Sequence, residues 1–280
     1  MRGVMHSELF SLFGLQIQMY GVMLALGFLA CYLLAGRMAR LSGRNPRDVD
    51  TLVMVAAVCG VLGARAVYVW QNWRTEFAGA PLEMFAVWRG GLVFYGGFGA
   101  AVAGLIVYAL VKGEKPLGLL GFAAVFVPLG HAFGRVGCFF HGCCFGGICQ
   151  NILGVRYPAQ TPPWKHQVAL RQISQYAPET LPTWPTQLIE AAGCLVLFGG
   201  LWVLYRRLPA GVREKAVGGV YLTAYALLRF GVECLRDDPR GATYFGLSFS
   251  QTISVALLAL GVLFLILAYR EANHGTIHRQ

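Results

Sequence analysis

The stretch "LGLLGFAAVFVPLGHAFGRVGCFFHGCCFGG", residues 117–147, decides the fold. Its first half is apolar for long enough to lie in a bilayer. Its second half brings in His131, Arg135 and His141 with Cys138, Cys143 and Cys144, and Cys149 follows. That chemistry stands at the edge of a candidate bilayer segment. The rest of the chain shows whether that setting applies.

The 280 residues are 56% hydrophobic and only 13% charged, where a soluble domain carries about 25%. Mean hydropathy is +0.56. A lipid-facing surface excludes ions, so the missing charge points to a membrane protein. The formal charge of +10 could suggest nucleic acid, but no nucleic-acid motif accompanies it, and basic cytoplasmic loops account for it. No nucleic-acid partner is expected. The opening "MRGVMHSELFSLFGL" lacks a small-residue cleavage site and runs directly into apolar sequence, so it reads as a short amphipathic lead-in.

Working outward, seven segments approach the roughly 20 apolar residues that a span requires. They run about 18–38, 51–70, 91–111, 117–133, 186–205, 218–235 and 250–269. The expected fold is an all-α polytopic membrane protein, residues 1–280 forming one integral membrane domain. Basic residues in the loops orient it. The loops after the first, third and fifth segments, with the C-terminal tail, carry twelve Lys and Arg against eight opposite. The N-terminus is therefore expected outside and the C-terminus inside. The long, proline-rich stretch 137–185 then becomes a small periplasmic head.

Three arginines remain within or beside spans: Arg65, Arg135 and Arg229. Each costs about 2.5–3.5 kcal/mol at a helix centre on insertion scales, so each needs a reason. In "YLTAYALLRFGVECLRDDP", the spacing of Tyr225, Arg229, Glu233 and Arg236 places all four on one helical face. That face is either an internal salt bridge that locks packing or an anion site whose arginine is oriented by Glu233. A guanidinium fork suits phosphate. Arg65 sits among Gly60, Gly63 and Ala64; it either snorkels to the interface or joins the same polar cavity. "WRGGLVFYGGFG" presents Tyr95 between two glycine pairs that permit close helix approach.

If residues 117–137 are helical, His131, Arg135 and Cys138 share a face. The cysteine spacing, C-x4-C-C-x4-C, matches no common zinc pattern, and no metal is expected. On an oxidising face Cys143 or Cys144 could pair with Cys138 or Cys149. Otherwise the thiols fill small buried positions, as Cys31, Cys59, Cys194 and Cys234 are expected to do within spans.

These stretches together resemble the prolipoprotein diacylglyceryl transferase family. "MYGVMLALGFLA" (19–30) resembles its first span, and "VWRGGLVFYGG" (87–97) its W-x-G-G-x-x-F-H-G-G segment. "GRVGCFFHGCCFG" (134–146) lies where the family has G-R-x-G-N-F-x-N-x-E-x-x-G. "PTQLIEA" (185–191) is similar to P-S-Q-L-Y-E, and "LLRFGVECLRDDP" (227–239) to R-x-x-x-E-x-x-R-x-P. The resemblance implies a bacterial inner-membrane, multi-pass enzyme with seven spans and its N-terminus outside. The reaction it implies moves diacylglyceryl from phosphatidylglycerol to the lipobox cysteine of a prolipoprotein signal peptide. A thioether forms, glycerol phosphate leaves and no cofactor is required.

By the same resemblance, Arg135 and Arg229 stabilise phosphate and the transition state, while Arg65, Glu190, Glu233 and Arg236 contribute to substrate binding. The chain departs from the pattern at four positions. Tyr95 replaces the H-G-G histidine, and an unperturbed phenol, with a pKa near 10, is a poor base at neutral pH. Cys138 and His141 replace two asparagines, and Cys143 replaces a glutamate. Tyr95, His131 and His141 are therefore the three candidate bases. Two other readings stay open: a thiol-redox or thiol-transfer paralogue acting through Cys138, Cys143, Cys144 and Cys149, and a lipid or anion transporter.

Overall fold

The computed structural model describes residues 8–12, 15–87, 90–238 and 246–277. Trp88 and Arg89 of the W-R-G-G stretch, Pro239 and Arg240, Arg279 and the first seven residues of the lead-in lie outside the described residues.

A two-stranded antiparallel hairpin, β1 (Glu8–Leu12) and β2 (Leu15–Gln18), precedes the helices. These are α1 (Met19–Leu41), α2 (Pro46–Gln71), α3 (Phe94–Val111), α4 (Pro116–Ala124), α5 (Val127–His141), α6 (Pro162–Ala169), α7 (Thr186–Arg207), α8 (Arg213–Glu233) and α9 (Phe249–Ile277). Five of them (α1, α2, α3, α7 and α9) are long and apolar enough to cross a membrane. There are six if α4 and α5, bent by 43°, form one broken span. The helix α8 has sufficient length, at about 1.5 Å per residue, but carries charges at both ends of its sequence.

Local chemistry sets several boundaries. Pro46 occupies the first turn of α2, and the Asn45 side chain accepts a hydrogen bond from Arg47 N at 3.1 Å. Both are favourable helix starts. The stretch expected as one continuous fourth span is instead interrupted at Val125–Phe126. Pro128, in the first turn of α5, has no N–H to continue the ladder. The Phe126 carbonyl accepts from Gly130 N at 3.1 Å and from Cys31 Sγ at 3.5 Å. At its other end α5 stops at Gly142, whose φ of +78° closes the helix in the left-handed region.

The described residues group into two compact units. The first comprises residues 1–31 and 124–280. Within it α7 packs on α5 and α8, and α8 on α9. Close approach of α8 and α9 depends on small residues: a Cβ added at Gly261 would meet Thr223 N at 2.7 Å. The second unit, residues 32–123, pairs α2 with α3. There a Cβ at Gly63 would meet Gly96 O at 2.6 Å, and one at Gly97 would meet Gly60 O at 2.8 Å. Of the two glycine pairs beside Tyr95, Gly96–Gly97 thus acts as a helix-packing surface.

Residues 142–185 are a folded segment of the first unit. Phe145, Val155 and Tyr157 form its small core, with Phe139 packed against it. Tyr157 N donates to Thr180 Oγ1 at 2.9 Å, and Trp164 Nε1 donates to Ala177 O at 2.8 Å. Backbone bridges tie Ile148 and Val155 to Thr183 and Gly146 to Arg236.

Candidate active site

Three helices of the first unit converge on one buried carboxylate, Glu190, which is 1% exposed in the first turns of α7. From α5, Arg135 Nε lies 3.0 Å from Glu190 Oε2. From α8, Arg229 Nη1 lies 3.6 Å from the same oxygen, and Tyr225 Oη donates to Glu190 Oε1 at 3.3 Å. A single anion thus holds two buried guanidinium groups in place. Removing this anion would take away the carboxylate that Arg135 pairs with and one of the two that face Arg229, in a medium that screens little.

Arg229 is anchored a second time. Its Nη2 lies 2.8 Å from Glu233 Oε2 and donates to Ser250 Oγ at 2.9 Å. Ser248 Oγ donates to Glu233 Oε1 at 2.7 Å. The i, i+4 ion pair expected from the sequence is present, but two serines at the start of α9 complete it. Buried Nη1 of Arg229 has no hydrogen-bond partner among the described residues. A buried donor without a hydrogen bond is costly, and this one has the 3.6 Å ion-pair contact with Glu190, a carboxylate that already serves Arg135.

His131 sits one turn before Arg135. Its Nε2 accepts from Arg135 Nε at 3.2 Å and lies 3.5 Å from Glu190 Oε1. The one Nε–H of Arg135 faces both this nitrogen and Glu190 Oε2, so His131 is held inside the Arg135–Glu190 ion pair. The ring packs on Tyr225 at 5.1 Å between centroids. His131 therefore buttresses Arg135, and its Nε2 lone pair is occupied. His141, last residue of α5, is exposed and makes no hydrogen bond among the described residues.

Arg236 departs from the sequence expectation. The helix α8 ends at Glu233, so Arg236 does not continue the face of Tyr225, Arg229 and Glu233. It forms a fork with Asp238 instead, Nε to Oδ1 at 2.8 Å and Nη2 to Oδ2 at 2.7 Å. Burial pushes the Asp238 carboxyl above the usual carboxylate range, and the Arg236 charge opposes that shift.

The sulfurs of Cys138, Cys143 and Cys144 lie within 4.8 Å of one another. Cys149 is not in this group; its Sγ donates to Asn151 Oδ1 at 3.0 Å. The expectation of four clustered thiols is corrected to three, because the chain turns away after Gly146 to pair with Thr183. All cysteines are free thiols here. Cys234 is exposed rather than core-packed, since α8 ends before it. The neighbouring Cys138 and Cys143 thiols, with the Arg236 and Arg135 charges, lower the Cys144 thiol from its usual range. The Cys138 and Cys144 thiols, with burial, push the Cys143 thiol up.

Arg65 and Tyr95 belong to the second unit. Arg65 commits its donors to backbone carbonyls: Nε to Met84 O at 2.8 Å, Nη2 to Glu83 O at 2.7 Å and Nη1 to Gly90 O at 2.7 Å. Its guanidinium also lies over the rings of Tyr68 and Phe77. Gly90 and Gly91, at φ +86° and +74°, let the loop turn its carbonyls onto Arg65. Tyr95, in the first turn of α3, is 49% exposed.

Sequence reasoning missed Ser248, Ser250, Asp238, Thr186 and Gln187. The two serines stand at the mouth of an apolar run, "LSFSQTISVALLAL", and a polar pair there was the available signal. Asp238 directly follows the arginine motif.

The description of the prolipoprotein diacylglyceryl transferase family matches residues 7–267. Among similar proteins, a phosphatidylglycerol–prolipoprotein diacylglyceryl transferase of Paraburkholderia phymatum is 33% identical, covering 92% of this chain and 91% of its own. A second transferase so named in Clostridium perfringens is 31% identical, over 90% and 91%. One from Clostridium tetani is 30% identical, over 92% and 96%.

Proposed function

Because this chain belongs to the prolipoprotein diacylglyceryl transferase family, we propose that it transfers diacylglyceryl from phosphatidylglycerol to the lipobox thiol of prolipoproteins. The observation that carries this reading is the convergence of Arg135 and Arg229 on Glu190, with an open donor at Arg229 Nη1.

In this reading α8 is a seventh span, the N-terminus is periplasmic, and the enzyme sits in the bacterial inner membrane. Residues 142–185 lie on the periplasmic side, where a secreted precursor arrives. The thiol gives its proton to a base. Its sulfur attacks the diacylglyceryl carbon bonded to the phosphate ester oxygen; a C–S bond forms, that C–O bond breaks, and glycerol phosphate leaves with the electron pair. The added charge appears on phosphate oxygens. Arg135 and Arg229 take it there, in a shielded site where fixed donors are worth far more than in water. Glu190 holds both guanidinium groups in place before substrate arrives, and Glu233, Ser248 and Ser250 fix the orientation of Arg229. Arg236 and Arg65 are positioning residues, one through Asp238 and the other through its loop.

For the base we favour His141, whose ring is accessible and unengaged, over His131, whose lone pair Arg135 occupies. Tyr95 is the third candidate.

Expression in a strain depleted of its own transferase tests the reading. Viability and thioether modification of a reporter lipoprotein are expected to return. Failure of both, with normal membrane insertion, overturns it.

A further inference from the structure

We propose that Cys138, Cys143 and Cys144 form a three-sulfur site for one soft, thiophilic metal ion, with cuprous copper the matching occupant. The site stands whether or not the chain transfers lipid.

Convergence is the first argument. The linear spacing fits no common motif, yet the fold brings all three sulfurs within 4.8 Å of one another. Three sulfurs, each ~2.3 Å from a shared ion, would stand about 4 Å apart, so the cluster is already near the required size.

The backbone holding them is the second argument. Cys138 is on the last turn of α5, and the chain then reverses. Gly142 N and Cys143 N both donate to Cys138 O, at 2.9 and 3.2 Å. Cys144 adopts φ +64°, a left-handed conformation that costs a non-glycine residue on the order of 1 kcal/mol or more. From α7, Thr186 Oγ1 donates to Cys144 O at 2.6 Å and Gln187 Nε2 to Cys143 O at 2.7 Å. Thr186 and Gln187 are each 1% exposed. Two buried polar side chains thus pin the carbonyls of the two adjacent cysteines, and a strained φ turns Cys144 back toward Cys143 and Cys138. Free thiols that merely filled small gaps would need neither device.

Ligand number and charge select the ion. No fourth His, Cys, Asp or Glu among the described residues joins the group. Structural zinc takes four ligands, and catalytic zinc adds water to three. Thiolates favour soft cuprous copper, which accepts three. Each sulfur that begins as a thiol releases its proton on binding. The copper then keeps its +1 charge, and the three thiolates leave a net charge of −2. The positive charges of Arg236 and Arg135 act on Cys144 and offset that charge. The three thiols are half-buried, shielded from bulk solvent yet accessible to a small ion.

The test uses full-length protein in detergent, reduced and then freed of reductant without air. Titration with cuprous ion against a chromophoric cuprous chelator is expected to withhold one equivalent per chain. X-ray absorption should report three sulfur neighbours at ~2.3 Å. Cys144→Ser should weaken binding by more than about 100-fold, the upper range for losing even an outer-shell partner. Cys149→Ser should bind as the parent does. Should Cys144→Ser fail to insert, the parent protein decides: copper loading is expected to protect Cys138, Cys143 and Cys144 from alkylation and leave exposed Cys234 reactive. No retained equivalent, undiminished binding by inserted Cys144→Ser, or unprotected thiols would overturn the site. Retention of zinc in preference to copper would overturn the choice of ion.

Discussion

At the level of single side chains, Arg135 and Arg229 have separate requirements. Arg229 uses one terminal nitrogen on Glu233 and Ser250 and presents the other beside Glu190. Lysine keeps the charge but loses the fork. Arg229→Lys is therefore expected to lower the transfer rate by about 10²–10³-fold, the cost of one donor to a developing oxyanion, with protein yield in the membrane retained. A rate within a factor of a few of the parent would remove Arg229 from the transition state. The histidines are expected to separate in kinetics. His141→Ala should cut kcat by about 10²-fold or more, as loss of a general base does. His131→Ala frees Arg135 Nε from its buttress and is expected to act mainly through KM for the lipid. If both variants keep full kcat, neither ring is the base, and Tyr95 becomes the remaining candidate.

At the level of elements, the packing devices are glycines, and they are not equivalent. A Cβ at Gly261 meets Thr223 backbone, whereas one at Gly199 in α7 meets nothing within 4 Å. Gly261→Ala should destabilise the α8–α9 pair by about 1–3 kcal/mol, the cost of overpacking. Gly199→Ala should be neutral or slightly stabilising. Thermal unfolding of both variants in one detergent checks the contrast, and equal midpoints would refute it. The Arg229–Glu233 pair was legible in the sequence because i, i+4 spacing is enforced by the helix itself. So were the apolar runs of α1, α2, α3, α7 and α9, because lipid demands a continuous signal. The break between α4 and α5 was less legible: a proline within an apolar run either kinks or ends a helix, and neighbours such as Cys31 decide which. Arg236 was misplaced because no local signal ends α8 at Glu233. The helix stops where a tertiary bridge to Gly146 takes over the backbone. The thiol cluster was hidden for the same reason, since carbonyl anchors on Thr186 and Gln187, more than 40 positions away, shape its loop.

At the level of the whole molecule, charge asymmetry and the position of the arginine site make one joint statement about sidedness. Twelve Lys and Arg occupy the loops assigned to the cytoplasm, and translocation of such segments is disfavoured. The native lysines give a direct test, because the chain has only Lys112, Lys115, Lys165 and Lys215. Lys112 and Lys115 follow α3, Lys215 begins α8, and Lys165 lies in α6 of the segment after α5. Lys112, Lys115 and Lys165 are all exposed, so a membrane-impermeant amine reagent should distinguish them by side rather than by burial. On right-side-out spheroplasts, Lys165 is expected to be modified while Lys112, Lys115 and Lys215 remain intact. On inverted vesicles the pattern should reverse. Seven spans require these four lysines to divide three against one, because the bent α4–α5 pair must carry the chain across between Lys115 and Lys165, and α7 must carry it back before Lys215. Modification of Lys165 together with Lys112 from one side would break that parity. It would also remove the argument that Arg135 and Arg229, near the ends of α5 and α8, face the compartment where a secreted thiol substrate arrives.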